Sequence, residues 1–592
     1  GAPDSLLYTP ATLVSGRELP MHLGLPTRSV HGLPIIEHAE FGRNVPDETV
    51  PDADKMELGK IYHMGREEKA DLILNRQAMA SHTFVTGSTG TGKSNAVYHL
   101  LDEITKDGRT SFLVVEPAKG EYKNVFGSRA DVKVFGTNPR ETPLLRINPF
   151  AFPQDIHILE HIDRLVEIFN ACWPMYAAMP AVLKDAIERS YQKVGWDLRN
   201  SESEKGVFPT FFDLLDILPG VIEESHYSKD TQSDYVGALC TRVKSLTNGI
   251  YGSVFCAEDA LSDAELFDCN VVVDLSRVGS METKSLLMGI LVMKLQEYRM
   301  CGSEMNSRLR HVTVLEEAHN LLRKTSAEQS QEGANLQGKS VEMLANAIAE
   351  MRTYGEGFII ADQAPGLLDM SVIRNTNTKI ILRLPDEEDR KLVGKSAALK
   401  EAQIDELSKL PLGVAAVYQN EWPEAVLCKI EAYPMPENAV YHKPSKMPHE
   451  INAEFVFGQL AAGKELEPLS ISEMEQLKLW LKRHEMMLKP EDGRYLEQVF
   501  AGGELDVAKT RKAVFDFFGG ISTVVDYCAA AEKSFTPRKE FLEQLQGQYG
   551  LKAAAADWVL NSVISMGMSL NPDAKAVDNL RTNFEQQGGR VL

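Results

Sequence analysis

At 592 residues the chain is too long for one simple core, and about two to four domains are expected. Its net charge of −21 weighs against a protein that coats nucleic acid over its whole surface, while a basic channel inside a ring remains compatible with that total. No apolar run is long enough to span a bilayer, no signal peptide is visible, and the seven cysteines are scattered without a Cys-x-x-Cys pair; this argues against a zinc site or a disulfide framework and predicts a cytoplasmic protein with no membrane partner.

Residues 1–60 are broken by prolines and polar residues and read as an irregular lead-in, with 32–36 a candidate strand. From residue 61 short β-rich runs recur, at Thr83–Thr86, 112–115, 132–135, 271–274, 311–315, 358–361, 379–384 and 414–418. Several are apolar throughout rather than alternating, the pattern of strands buried on both faces of a helix-covered parallel sheet. Helices are expected at 95–104, 282–300 and 341–353. The spacing predicts an α/β nucleotide-binding core in two parts, 61–150 and 265–440. Between them, 151–264 carries amphipathic helical stretches at 156–170, 177–194 and 235–246 and reads as a helical insertion. The segment 441–592 reads as a separate all-α module, with helices at 472–487, 493–500, 506–518, 523–534, 538–548 and 553–566.

The strongest motif is Gly87-Ser88-Thr89-Gly90-Thr91-Gly92-Lys93-Ser94, a full match to the phosphate-binding P-loop. Its glycines let backbone N–H groups close around phosphate oxygens. Lys93 reaches the β- and γ-phosphates of ATP, and the Ser94 hydroxyl holds Mg²⁺. A strand before it and a helix from Asn95 after it put a helix N-terminus against the phosphates, so the binding set is Gly87 to Asn95.

Hydrolysis also needs a carboxylate near Mg²⁺ and another to orient or deprotonate water. The run His311-Val312-Thr313-Val314-Leu315-Glu316-Glu317 ends a buried strand in two acids. Glu316 is assigned to the Mg²⁺ shell and Glu317 to the water; most P-loop enzymes carry aspartate in the first role. The competing reading is a solvated acidic strand end. A further strand ends in Asp362-Gln363, and Gln363 suits a γ-phosphate sensor or a loop cap. Phosphoryl transfer often uses an arginine from a neighbouring subunit, and Arg352 and Arg383, then Arg374, are candidates with salt-bridge roles as the alternative.

With these blocks in view, the chain resembles the HerA/FtsK superfamily of ring-forming ATPases, most closely its HerA-like branch. The resemblance rests on the P-loop, Glu116-Pro117-Ala118-Lys119-Gly120-Glu121-Tyr122, Arg146-Ile147-Asn148-Pro149-Phe150, Leu315-Glu316-Glu317-Ala318-His319-Asn320, Met351-Arg352-Thr353-Tyr354-Gly355 and Asp362-Gln363-Ala364-Pro365, and covers roughly residues 30–435. It implies a RecA-like fold, a homohexameric ring with ATP bound between subunits, and movement of double-stranded DNA through a pore. It also implies a protein effector, a nuclease or a sirtuin-like NADase, as in relatives from bacterial defence loci. Such proteins usually begin with a small β-barrel, and 1–60 is at most a remnant of one. Pore contacts are expected from 323–339, which begins Arg323-Lys324-Thr325 and ends at Lys339, and from Lys119 and Lys123. Two further readings stand beside the motor: an ATP-binding scaffold ring that assembles and regulates the effector, and a conjugation- or division-type DNA pump.

Overall fold

Successive residues of a strand point to opposite faces, and here both faces are covered. The computed structural model describes residues 29, 31, 37–435 (without 177, 204–205, 258–259, 303 and 326–335), 440–443, 490–500, 506–533, 536–549, 553–571, 573–589 and 591. The expected strand at 32–36 and helix at 472–487 lie outside the described residues.

The strands are β1 (Lys55–His63), β2 (Arg66–Asn75), β3 (Thr83–Thr86), β4 (Ser111–Glu116), β5 (Val132–Gly136), β6 (Trp196–Asp197), β7 (Glu202–Ser203), β8 (Asn270–Asp274), β9 (His311–Glu316), β10 (Glu356–Asp362), β11 (Thr378–Ile381), β12 (Val414–Gln419) and β13 (Val426–Ile430). Eleven of them form one sheet in the order β2-β1-β13-β12-β11-β3-β10-β9-β4-β8-β5. From β11 to β5 all neighbours are parallel. From β11 back to β2 they are antiparallel. β6 and β7 make a two-stranded ribbon elsewhere.

The uniformly apolar runs are what a doubly covered sheet requires. Every residue of β3, β9, β10 and β11 is buried. Phe84, Leu113, Val115, Leu315 and Phe358 enter one apolar cluster; Val85, Phe112, Val114, Val314 and Ile359 enter a second. The second cluster takes the helix Lys93–Thr105 through Ala96, Val97, Leu100, Leu101 and Ile104, together with the β1–β2 hairpin. The first takes the helices Ile158–Cys172, Met281–Gly302 and Leu336–Glu350. The helices inserted between β5 and β8 thus supply much of one cover of the sheet. At Gly289 two of these helices approach closely, since a Cβ there would come within 2.9 Å of Ile168 Cγ2.

Three features depart from the pattern expected of the sequence. The hairpin β1–β2 begins at Lys55, before the expected change at residue 61, and its outer strand is largely exposed. β13 is an additional strand, pairing with both β1 and β12. The expected helix 235–246 is interrupted by a wide π turn at Val236–Cys240. In the C-terminal part, six helices from Pro490–Phe500 to Ala574–Gln586 share an apolar cluster of their own, around Phe517, Tyr527, Leu560, Ile564 and Phe584. Among the described residues no single helix is long and apolar enough to cross a membrane; the helices Val507–Phe517 and Ile521–Lys533 are bent apart by 68° at Gly519 and Gly520, both with positive φ.

At the N-terminal ends of β9 and β10 sits a buried ionic knot. Arg299 Nε donates to Glu356 Oε2 at 2.9 Å, and Arg299 also pairs with Asp268 at 2.9 Å. His311 Nδ1 lies 2.7 Å from Glu356 Oε1, which also accepts from Thr313 Oγ1 at 2.9 Å. Burial pushes the Glu356 carboxyl up, but His311 and Arg299 outweigh it and hold it below the ordinary value. A carboxylate held low in the folded state stabilises above its unfolded pKa and loses that contribution as pH falls through the folded one. Glu356→Ala leaves Arg299 facing a buried gap and should cost about 3–5 kcal/mol. A chemical denaturation series checks this, and the difference between wild type and variant should shrink as the pH is lowered below about 4.

Candidate active site

β3 is flanked by β10 and β11, both parallel to it, so the ends of all three leave the sheet on one edge. Gly87 to Gly92 turn from the end of β3 into the helix Lys93–Thr105. Gly90 and Gly92 have φ of 76° and 104°, a region that glycine enters without strain. At Gly87 a Cβ would meet Thr91 Oγ1 at 2.7 Å and Leu382 Cβ at 2.8 Å, so only glycine fits. Ser88 N donates to Arg383 O at 3.0 Å, and Thr91 Oγ1 to Ser88 O at 2.7 Å, which hold the loop open. The N–H groups of the helix's first turn have no intrahelical acceptor and carry its positive dipole end. This cradle fits a polyphosphate.

The two acids end β9. Lys93 Nζ donates to Glu316 Oε2 at 2.8 Å and to Glu317 Oε1 at 3.2 Å. Burial lowers the Lys93 pKa, yet the two carboxylates outweigh it and the ammonium is held above the usual lysine value. The other oxygen of Glu316 accepts from Tyr122 Oη at 2.5 Å. Glu317 sits at φ 45° and ψ 52°, a left-handed conformation that costs a non-glycine residue on the order of 1 kcal/mol or more. Its Oε2 is buried without a hydrogen-bond partner among the described residues.

Behind Glu317, His319 Nδ1 lies 3.6 Å from Glu317 Oε2 and 2.9 Å from Asp362 Oδ2. The hydrogen bond to Asp362 raises the His319 pKa; burial works against it, and the charges of Asp362 and Glu317 add to it. Asp362 ends β10 and also accepts from His319 N and Ala364 N, both at 2.8 Å. The next residue, Gln363, accepts from Thr89 Oγ1 at 2.9 Å and so ties β10 to the tip of the P-loop. At the end of β4, Glu116 accepts from Glu121 N at 2.8 Å and Tyr122 N at 3.1 Å. Burial, helped by the charges of Asp274 and Glu316, pushes its carboxyl up to about 8 despite those two donors.

Ser94 and Glu316 offer hard oxygens of the kind that Mg²⁺ takes, while Glu317, His319 and Asp362 bring one ligand atom each to within 4.8 Å of one another. Lys93 meets Glu316 and Glu317, Gln363 is tied to the P-loop through Thr89, and Ser94 follows Lys93 in the first turn of the helix. Asn95 is turned elsewhere: its side chain donates to Glu431 O at 2.9 Å and accepts from Tyr433 N at 2.8 Å, holding the segment after β13. Arg383 is exposed and follows β11 on the P-loop edge. Arg352 precedes β10 and Arg374 precedes β11, so both lie on the opposite edge, roughly 20 Å away at about 3.3 Å per strand residue. Lys123 is spent on Asp274 at 2.6 Å and Glu141 at 2.9 Å, whereas Lys119 is exposed. Of the expected pore segment, 326–335 lies outside the described residues; Lys324 N is fixed to Leu367 O at 2.8 Å. Sequence reasoning gives no role to Tyr122, His319, Asp362 or Glu116. All four stand inside the blocks that carry the resemblance, and ionisable residues at strand ends are the available signal.

The family model described as the central domain of the helicase HerA matches residues 56–359, just over half of the chain. Over 436 residues the chain is 23% identical to a probable helicase of Methanocaldococcus jannaschii, covering 67% of this chain and 76% of that protein. Over 394 residues it is 25% identical to the DNA double-strand break repair helicase HerA of Sulfolobus acidocaldarius, covering 65% of this chain and 71% of the relative. Among solved structures, VirB4 of Thermoanaerobacter pseudethanolicus shares the fold, with a TM-score of 0.50 at 18% identity over 65% of this chain and 98% of that one. The expected fold class and family are both borne out: with its P-loop and paired strand-end acids in one parallel sheet, the chain is a P-loop ATPase and belongs to the HerA helicase family.

Proposed function

We propose that this ATPase is a DNA translocase of the HerA type, working as a homohexameric ring with ATP bound between subunits. The observation that carries the reading is the convergence of Lys93, Glu316, Glu317 and Gln363 on one strand edge. In this reading the loop N–H groups and Lys93 take the phosphates, and Lys93 leaves its two carboxylates to do so. Ser94 and Glu316 would hold Mg²⁺, which would neutralise phosphate charge. Glu317 Oε2 accepts the proton of the attacking water, and Gln363 exchanges its bond with Thr89 for the γ-phosphate. The groove beside Gly92, lined by Glu57, Lys60, Leu412, Lys429 and Ile430, is the room for the nucleoside. Arg383 is positioned to act on its own subunit's nucleotide, and Arg352 or Arg374 only on a neighbour's.

Double-stranded DNA as the track is supported by family membership and by one local feature. Lys119, Lys123, Arg140, Arg277 and Lys443 line a single groove on a chain of net charge −21. Lys123 and Arg277 share Glu141, which leaves Lys119 and Arg140 as the groove's freer cations.

A second reading is favoured by the separate apolar cluster of the C-terminal helices. In it the ring is a scaffold that binds and regulates a nuclease or a sirtuin-like NADase in anti-phage defence. A motor can also be such a scaffold.

Lys93→Ala should abolish phosphate release and weaken binding of a non-hydrolysable ATP analogue. Glu317→Gln should keep analogue binding and slow kcat by about 10²–10⁴-fold. Duplex DNA should raise the ATPase rate, less so as salt increases. Lys119→Ala with Arg140→Ala should lower the salt slope of DNA binding by about one for each phosphate that these cations neutralise. Hydrolysis indifferent to duplex DNA at every salt concentration would sink the translocase reading. Truncation after residue 443 should spare hydrolysis and abolish co-purification of the effector; retention of the effector by the truncated ring would remove the C-terminal docking role.

A further inference from the structure

The residue at the metal-shell position is a glutamate, one methylene longer than the aspartate usual there, and a longer arm needs something to hold it. Both its oxygens are occupied: Oε2 accepts from Lys93 and Oε1 from the Tyr122 hydroxyl at 2.5 Å. Tyr122 is 2% exposed. A phenol buried this deeply costs free energy unless its hydroxyl is paired, and packing alone would be met by phenylalanine. Here the partner is the Glu316 carboxyl, at the short end of O–H···O distances.

The ring itself is held on several sides. It meets Tyr98 edge-on at 4.9 Å and Phe126 at 6.4 Å with a near-parallel tilt of 24°. Its backbone N–H is fixed by Glu116 at 3.1 Å.

We propose that Tyr122 is a positioning residue that lets a glutamate serve in the Mg²⁺ shell: when Lys93 moves to the phosphates, the phenol keeps Oε1 and leaves Oε2 free for the metal's coordination sphere. This rests on the assignment of Glu316 to that shell.

The test is a double-mutant cycle with Tyr122→Phe and Glu316→Asp in the full chain. The main readout is Mn²⁺ affinity by electron paramagnetic resonance in the presence of a non-hydrolysable ATP analogue; kcat and the KM for ATP are measured alongside. Loss of a hydrogen bond that orients a metal ligand typically costs about 10–100-fold in metal affinity. Tyr122→Phe should weaken Mn²⁺ binding by about 10-fold or more and lower kcat, with KM for ATP little changed. Glu316→Asp should also bind Mn²⁺ more weakly than the wild type, because the shorter acid no longer reaches the phenol. Adding Tyr122→Phe to it should cost nothing further. A normal Mn²⁺ affinity in Tyr122→Phe, alongside a loss in Glu316→Gln, overturns the positioning role. An unchanged affinity in Glu316→Gln overturns the metal-shell assignment and the inference with it. Should Tyr122→Phe fail to fold, Glu316→Asp decides alone: Mn²⁺ affinity equal to or tighter than the wild type refutes the proposal.

Discussion

β3 lies between β10 and β11 and runs parallel to both, with β9 one strand further on. The rest of the site depends on this pairing. The strand faces are sealed by two apolar layers, and the ionisable groups of β4, β9 and β10 stand at the strand ends. Parallel strands end together. That is how Glu316, Glu317 and Gln363, each more than two hundred positions beyond the P-loop in sequence, come within hydrogen-bonding distance of Lys93 or Thr89. The other ends of the same strands carry a different kind of polarity. There Arg299 and His311 both pair with Glu356 in the interior, binding β9 and β10 to the helix Met281–Gly302.

Charge along the catalytic edge is lopsided. Glu116, Asp274, Glu316 and Asp362 terminate β4, β8, β9 and β10, and Glu317 follows immediately. Against these stand Lys93, Lys123, His319 and a few backbone N–H groups. Glu116 near 8 shows the strain of the arrangement, since burial and neighbouring acids keep it from ionising easily. An edge this acidic admits a triphosphate only in company with cations, and Lys93 is the resident one. Its two ion pairs bridge the acids until phosphate competes for it.

Much of this is legible in the sequence because P-loop chemistry is local. Eight consecutive residues between a strand and a helix announce the cradle, and an apolar run ending in two acids announces β9. Buried strands in a parallel sheet also lack alternation, so the uniformly apolar runs identify the fold class. The hairpin β1–β2 is hidden because an exposed outer strand carries no such signal; β2 opens with Arg66, Glu67, Glu68 and Lys69. β13 is five residues long and contains a lysine. The roles of Tyr122 and His319 do not follow from spacing, since their partners Glu316 and Asp362 are distant in sequence and are set by strand order alone. For the same reason, only the topology separates Arg383 from Arg352 and Arg374: strand direction decides on which edge each arginine stands.

The strand order also governs how the molecule is made. β3 leaves the ribosome early, but both of its neighbours, β10 and β11, come much later, ending at Asp362 and Ile381. β4 likewise waits for β8 and β9. At about 5–20 residues per second, the P-loop strand stays without a sheet for roughly 15–60 seconds of synthesis. During that time Phe84 and Val85, later buried, lack one or both of the strands that flank them. Such a nascent chain is a natural client for chaperones, and a ribosome that stalls before residue 381 holds a P-loop sequence with no nucleotide site.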